Sequence, residues 1–342
     1  MKNILHSFHR LSIRKKLIFS FTVLVVLPIL ISSWFSNTIT RDILLERISN
    51  ANTDALTGSA RRMDRLLDDI TYTLLSISRN TQLMEIIKDD IATDNIQNSD
   101  RHLNKIRKIN EILDSVPINM LMYSSKITIL SSSNESYGTW EEFYSFSEYI
   151  HDSQWYNELM KSYSGSILWL GINNNVQNKD NNTYSLEAAI SVKASRSSMN
   201  SIGVIHISIP EMVVYDMIKL ESKESDIFII DNNGSIKSTK DKKHLGTPLY
   251  EYLNIDKPYD ELKNGWFIEK NRDNKKVVIS VSSFNKTDLK LISVIPYDKM
   301  LAPLTNLSNI ILLTNLIFII SFLLVAVFIS NTIRSLRFHT VT

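Results

Sequence analysis

Two uncharged apolar segments, one near each end, constrain this 342-residue chain more than any other feature of its sequence. They run from Leu17 to Phe35 and from Ile310 to Ile329, and neither contains Asp, Glu, Lys or Arg. A helix rises about 1.5 Å per residue, so roughly 20 apolar residues cross a hydrocarbon core about 30 Å thick. The lengths predict two transmembrane helices, at 17–36 and 310–329, rather than two buried helices of a soluble core.

The charges beside the two segments predict their orientation. Residues 1–16 carry five basic side chains and residues 330–342 carry two, and neither end has an acidic side chain. Short basic flanks stay on the cytoplasmic side of a membrane. We therefore expect both termini in the cytoplasm and residues 37–309 outside it. No small-x-small cleavage site follows the first segment, so we expect an uncleaved anchor rather than a signal peptide.

The composition of the outer region argues against several kinds of function. The two ends hold seven of the 38 basic residues and none of the 36 acidic ones, so the outer region is mildly acidic and nucleic acid is not an expected partner. The chain has no cysteine, which excludes thiolate zinc sites and thiol nucleophiles. Its seven histidines form no i, i+4 pair, and no hydrolase, kinase or P-loop motif occurs. We expect no catalytic residues, no metal site and no cofactor in this chain.

Helical periodicity dominates the first part of the outer region. Between Thr38 and Lys88, apolar side chains recur at i, i+3, i+4 and i+7 from Met63 to Ile77. This spacing predicts an amphipathic helix that continues straight out of the first apolar segment. A second helix is expected over about 100–115, and the apolar stripe of each would pack on the domain that follows.

Short β-prone segments follow and fall into two groups joined by a helix predicted over 211–220. The predicted strands are 118–123, 126–131, 166–170, 183–192 and 202–209, and then 226–231, 235–238, 265–270, 275–284 and 289–295. Asn233-Gly234 predicts a hairpin turn within the second group. The sequence thus predicts an α+β fold: a long N-terminal helix with two antiparallel-sheet units, named here the distal unit (about 117–210) and the proximal unit (about 226–296).

Five segments in this order resemble the double Cache (dCache) sensors of bacterial transmembrane receptors, closest to the N-terminal sensor half of YesM-type sensor histidine kinases. They are HDSQWY from His151, IGVIHISI from Ile202, DIFIIDNNG from Asp226, HLGTPL from His244 and LISVIP from Leu291. The resemblance covers about residues 37–335 and implies two PAS-like units that sense an extracytoplasmic cue. It also implies that a HAMP-like linker begins at Ser330, and that the receptor works as a homodimer.

Two positions depart from the family pattern. Amino-acid-binding members carry Arg two residues before the Trp, and this chain has Ser153 there, so the guanidinium that pairs with a ligand carboxylate is missing. Arg334 stands in the linker where Pro is usual. No phospho-acceptor His box or ATP-binding glycine box follows, and we expect the kinase apparatus to lie outside these residues.

Aromatic side chains concentrate in the distal unit. Trp155 and Tyr156 lie in a segment that resembles the ligand-binding element of the family, and Trp169, Tyr184 and Glu187 lie on or beside predicted strands of the same unit. Aromatic rings with a few polar groups are typical of a small-ligand pocket, although such rings are also typical of an ordinary core. We predict these five residues as ligand-binding. The alternative is a distal unit that serves as a spacer or as a surface for a partner protein.

The sequence therefore predicts a two-pass cell-membrane receptor, the sensor part of a two-component histidine kinase. Its expected partners are a small-molecule ligand or an extracytoplasmic binding protein, membrane lipid and a second copy of the chain. The sensor half of an AraC-type transcription regulator or of a chemoreceptor has the same outer architecture, and a membrane-anchored extracellular enzyme is a further alternative. Pro303, just before the second segment, is either a first-turn residue of the final helix or a hinge.

Overall fold

The computed structural model describes residues 13–92, 99–139, 150–161, 167–174, 184–195, 200–220, 224–255 and 263–339. These residues form two compact units. The terminal unit combines the residues up to Ser49 with those from Tyr297 onward, and the central unit comprises Asn50–Pro296. Residues 1–12 and 340–342 of the predicted cytoplasmic ends lie outside the described residues.

Four helices open the described chain. They are α1 (Ile13–Ser78), α2 (Thr81–Ala92), α3 (Ser99–Asp114) and α4 (Ile118–Met122). The predicted long N-terminal helix is confirmed, but it ends at Ser78, and α2 begins separately. The boundary has a local cause, because the side-chain oxygen of Asn80 accepts a hydrogen bond from the backbone N–H of Leu83 (3.1 Å) and so caps α2.

The distal unit is a five-stranded antiparallel sheet in the order β2-β1-β5-β4-β3. Its elements are β1 (Lys126–Ser131), β2 (Ser136–Gly138), α5 (Gln154–Lys161), β3 (Leu168–Asn174), β4 (Tyr184–Lys193) and β5 (Ser201–Pro210). Helix α6 (Glu211–Ile218) follows β5 directly and leads to the proximal unit.

The proximal unit repeats this strand order without a sequence repeat, as β7-β6-β10-β9-β8. Its elements are β6 (Asp226–Ile230), β7 (Ile236–Thr239), a 3-10 turn (Lys242–His244), α7 (Leu249–Tyr252), β8 (Gly265–Lys270), β9 (Lys276–Ser283) and β10 (Lys290–Pro296). The predicted hairpin joins β6 to β7. There the carboxylate of Asp231 accepts hydrogen bonds from the backbone N–H groups of Asn233 and Ser235 (3.0 and 2.9 Å), and Gly234 has φ +74°.

The main core lies between α1 and one face of each sheet. The predicted stripe is buried along its full length, from Met63 through Leu67 and Ile70 to Ile77. It shares a hydrophobic cluster with Leu186, Ala188 and Ile190 of β4, with Ile205, Ile207 and Ile209 of β5, and with Ile227, Ile229 and Leu291 of the proximal sheet. Helix α1 is therefore common to the cores of both sheet units.

One predicted strand is wrong. Residues 118–123 form the short helix α4 rather than a strand, because Pro117 starts a turn in which its carbonyl accepts from the N–H of Met120 (2.9 Å). Met120 is buried while Leu121 and Met122 are exposed, so the apolar run serves a helical turn with one inner face. The other predicted strands are present with ends shifted by at most a few residues, whereas β2 and α5 were not predicted.

The terminal unit contains the first part of α1 together with α8 (Tyr297–Met300) and α9 (Ala302–His339). The guanidinium of Arg41 lies 5.3 Å from the ring centre of Tyr297, and the hydroxyl of Ser49 donates to the sulfur of Met300 (3.7 Å). Since α9 begins at Ala302, Pro303 lies in its first turn, where the missing N–H breaks no intrahelical bond.

Helix α1 is the one helix of the described chain that is long and apolar enough to cross a membrane. The described apolar stretch of α9, Asn309–Val325, is shorter. Large apolar side chains on both helices are exposed, among them Leu24, Leu27, Leu30 and Trp34 in α1 and Leu316, Phe318, Leu324 and Phe328 in α9.

Two glycine substitutions should have opposite effects on stability. A Cβ at Gly203 would lie 2.5 Å from the carbonyl oxygen of Leu130, inside the β1–β5 ladder, whereas a Cβ at Gly58 in α1 would meet nothing within 4 Å. We expect Gly203→Ala to destabilise the protein by about 1–3 kcal/mol through overpacking. Gly58→Ala should stabilise it by about 0.5–1 kcal/mol, because alanine is the better helix former. Thermal unfolding of the purified chain measures both, and a Gly203→Ala midpoint at or above the wild-type value would contradict this packing.

Candidate ligand site

One face of the distal sheet is apolar, and the other, called here the polar face, carries polar side chains beside an apolar patch of Leu130, Ala189 and Val204. Along β4, Leu186, Ala188 and Ile190 pack toward α1, so the alternating residues point to the opposite side. That opposite side carries buried or nearly buried polar residues on three adjacent strands: Thr128, Ser185, Glu187, Ser191, His206 and Ser208. Buried polar groups in the middle of a sheet are uncommon unless they are bonded or serve a site, so this face is the candidate site.

Glu187 and His206 form the centre of the polar face. Glu187 lies opposite Ser208 across the β4–β5 ladder, and its side chain is only 13% exposed. The hydroxyl of Ser185 donates to Oε1 of Glu187 (2.8 Å), and Nε2 of His206 lies 3.7 Å from Oε2. A carboxylate that is mostly removed from water requires donors for several lone pairs, and a ligand with N–H or O–H groups can supply them.

Helix α5 covers part of this face with aromatic rings. The Trp155 ring stacks on the His206 ring at a centroid distance of 5.8 Å and an interplanar angle of 28°. Tyr156 is buried and meets His151 edge-on at 4.7 Å. Ser153 stands just before the helix, and its hydroxyl accepts from the backbone N–H of Tyr156 (3.4 Å). Ser153 therefore caps the helix that carries both rings.

Burial shifts two titratable groups beside α5 toward their neutral forms. Burial raises the pKa of Tyr156 to about 12. Burial also lowers the pKa of His151, and the neighbouring Asp152 offsets only part of that effect. A basic side chain borders the polar face as well, since Lys126 on β1 lies opposite Ser208 on β5. The polar face thus combines a carboxylate, neutral hydrogen-bonding groups and one bordering cation.

The structure brings together three of the five predicted site residues: Trp155, Tyr156 and Glu187. Trp169 is half-buried and packs on the α1 side of the distal sheet. Tyr184 packs there as well, and its hydroxyl is so close to the proximal unit that a Cβ at Gly246 would lie 3.3 Å from it. Neither residue contributes to the polar face. Sequence reasoning missed His206, although a histidine within the apolar strand IGVIHISI was a usable signal.

The corresponding face of the proximal sheet has a different character. It is filled by an apolar cluster of Phe228, Ile230, Ile236, Leu249, Ile255, Ile279, Val281, Ile292 and Val294. The ring of Tyr252 packs on Phe228 at 5.2 Å. Within the described ranges, no group of three or more His, Asp or Glu side chains could hold a metal ion in either unit. The distal polar face is therefore the better candidate for a small-ligand site.

Comparison with known proteins identifies the fold. No protein-family model and no curated protein sequence matches the chain. The sensory domain of the Campylobacter jejuni chemoreceptor Tlp3, with isoleucine bound, matches 77% of this chain and 98% of its own (TM-score 0.51, 14% identity). The periplasmic sensory domain of the C. jejuni chemoreceptor Tlp1 matches 76% and 99% (TM-score 0.56, 12% identity).

A third match comes from another bacterium. The ligand-binding domain of the Pseudomonas fluorescens chemoreceptor CtaA, in complex with L-isoleucine, matches 77% of this chain and 98% of its own (TM-score 0.51, 10% identity). At such identities the likeness is one of fold. The predicted α+β architecture, a long N-terminal helix with two antiparallel-sheet units, is confirmed as the fold of Cache-type sensory domains.

Proposed function

We propose that this chain is a membrane-anchored receptor whose distal unit binds a small extracytoplasmic molecule on its polar face. The observation that carries the proposal is the grouping of Glu187, His206 and Trp155 on one side of the distal sheet. The fold adds support, since solved sensory domains of chemoreceptors share it and two of them hold isoleucine.

The chemistry of the polar face favours a ligand with hydrogen-bond donors, such as an ammonium group. Glu187 offers carboxylate oxygens, and the Trp155 ring offers a π surface to a cation or an apolar group. Ser153 replaces the arginine of amino-acid-binding relatives and serves as a helix cap, so a carboxylate-dependent binding mode has no support at that position. An extracytoplasmic binding protein is the alternative occupant.

We propose a two-pass topology with both termini in the cytoplasm. The exposed apolar side chains of α1 and α9 support it, because such side chains require a lipid environment or a partner. The basic flanks of both apolar segments support the orientation. Ligand binding would favour one of two receptor states in proportion to its differential affinity for them.

For the output, we propose the sensor half of a histidine kinase that acts as a homodimer and signals through a HAMP-like linker beginning at Ser330. Its support is the sequence resemblance to YesM-type kinases. A chemoreceptor sensor half fits the shared fold equally well, and an AraC-type regulator is a further alternative. The reading frame beyond Thr342 distinguishes these outputs.

A ligand screen tests the sensing function. Small amines, amino acids and other metabolites should be added singly to the purified chain in nanodiscs, with the thermal midpoint as readout. We expect at least one compound at 100 times its Kd to stabilise the protein by about 2.7 kcal/mol. Glu187→Gln should lose most of this shift, because a carboxylate that accepts charged donors is replaced by an amide.

Glu158→Gln is the matched control for this screen. Glu158 is an exposed carboxylate on α5 that accepts from the Gln154 amide (2.7 Å), so its replacement should leave the shift unchanged. Equal shifts in wild type and Glu187→Gln would place the ligand elsewhere, and a screen without any stabilising compound would contradict the sensing function.

Cysteine labelling tests the topology, and the absence of native cysteine makes it clean. Asp273→Cys lies in the exposed turn between β8 and β9, and Thr342→Cys is the last residue. A membrane-impermeant maleimide should label position 273 in intact bacterial cells and position 342 only after lysis. Labelling of position 342 in intact cells would refute cytoplasmic termini.

A further inference from the structure

Helix α6 joins the two sheet units and holds a buried charge in its first turn. The side chain of Glu211 is only 4% exposed, although it lies between two elements of different units. The position suits an acidic residue, since the first turn of a helix favours negative charge. A buried carboxylate nevertheless requires strong partners, and those of Glu211 come from the proximal unit.

Two proximal side chains bind the two oxygens of Glu211. The hydroxyl of Ser238 on β7, itself fully buried, donates to Oε1 (2.5 Å). The ammonium of Lys242 pairs with Oε2 (2.5 Å) and also donates to the carbonyl of Thr239 (2.7 Å). The same ammonium lies 4.7 Å from the ring centre of Tyr215, one turn further along α6. Glu211, Ser238 and Lys242 together form what we call the Glu211 cluster.

The other end of α6 is attached to α1. Nε of Arg62 donates to the carbonyl of Met217 (2.9 Å), and Nη2 donates to the hydroxyl of Ser59 (2.6 Å). Val214 and Ile218 pack into the core that surrounds α1. The helix is therefore fixed at its last turn by α1 and at its first turn by the proximal sheet.

The first turn of α6 also continues directly from the polar face of the distal unit. Strand β5 carries His206 and Ser208 and ends at Pro210, and Glu211 is the next residue. Because no linker separates strand from helix, a displacement of β5 along its axis moves the Glu211 backbone with it. The bonds to Ser238 and Lys242 then resist that displacement or pass it to β7.

We propose that Glu211 is the positioning residue that couples the distal polar face to the proximal unit. Its role as a signal relay rests on the proposed sensing function, whereas the mechanical coupling can be measured without a ligand. The state of the polar face sets the position of β5, and the Glu211 cluster transfers that position to β7 and the following 3-10 turn.

A double-mutant experiment on the full chain in nanodiscs tests this coupling. Glu187→Gln perturbs the polar face, and hydrogen exchange over residues 236–244 reports on the proximal unit. We expect Glu187→Gln to change exchange there by about threefold, and to have almost no effect in a Glu211→Gln background, as for contacts that couple energetically. Asp216→Asn is the control background, because Asp216 is an exposed residue of α6 that pairs with Lys219 at the C-terminal end of the helix, away from the Glu211 cluster. In that background the threefold change in exchange should persist.

If Glu211→Gln lacks a cooperative thermal transition, Ser238→Ala replaces it, since that variant keeps the Lys242 pair and should reduce the transmitted change. An equal change in the wild-type and Glu211→Gln backgrounds overturns the coupling, as does no change over 236–244 on Glu187→Gln alone. If no compound stabilises the protein but Glu187→Gln still changes hydrogen exchange over 236–244, the sensing function is overturned and the coupling stands.

Discussion

One apolar stripe of α1 is buried against both sheets, and this packing holds the two sheet units on a common helix. Leu66, Leu67, Ile70 and Leu74 are fully or almost fully buried, and each contributes about 1.5–3 kcal/mol of hydrophobic stabilisation as an upper estimate. Because the same helix enters the cores of both sheets, each sheet has one face committed to α1. Only the opposite faces remain to differ in chemistry, and they do: the distal one carries Glu187 and His206 beside a small apolar patch, and the proximal one is filled by an apolar cluster.

The contact between α1 and the proximal sheet is more polar than its contact with the distal sheet. The Asn52 amide donates to the hydroxyls of Ser280 and Ser293 (3.0 and 3.1 Å), and Trp266 donates to the side-chain oxygen of Asn50 (2.8 Å). Hydrogen bonds are directional, so they set the position of the proximal sheet along the helix where apolar packing alone would tolerate small shifts. The apolar stripe provides the stability, and these bonds provide the register.

Much of the fold could be predicted because its signals are local. The i, i+3, i+4 spacing from Met63 to Ile77 and the β-branched runs each specify an element without knowledge of its neighbours. The strand prediction for 118–123 was wrong for the same reason. Its residues suit either a strand or a helical turn, and the turn that starts at Pro117 selects the helix. Helix α5 was missed because eight residues make little more than two turns, so its apolar spacing is too short to repeat in the sequence.

The candidate site could be predicted only in part, because a site depends on which face of a strand a residue occupies. Glu187 and Tyr184 lie on the same strand with odd spacing, so they point to opposite faces. The sequence alone does not show which of these two faces is the polar one. On β3, the pairing register shifts between Trp169 and Gly171, so simple alternation along the strand does not give the face on which Trp169 lies. The histidine in IGVIHISI is a visible signal in the sequence, but the pairing of His206 with Glu187 follows only from the sheet order, which places β5 between β1 and β4.

We propose that the distal polar face receives the signal and that the apolar proximal face does not. Hydrogen exchange of the full chain in nanodiscs, with and without the compound that gives the largest thermal stabilisation, distinguishes the two faces. We predict the strongest protection in α5, β4 and β5, around Trp155, Glu187 and His206. Protection centred on the proximal cluster around Phe228 and Tyr252, with the distal segments unchanged, would contradict it.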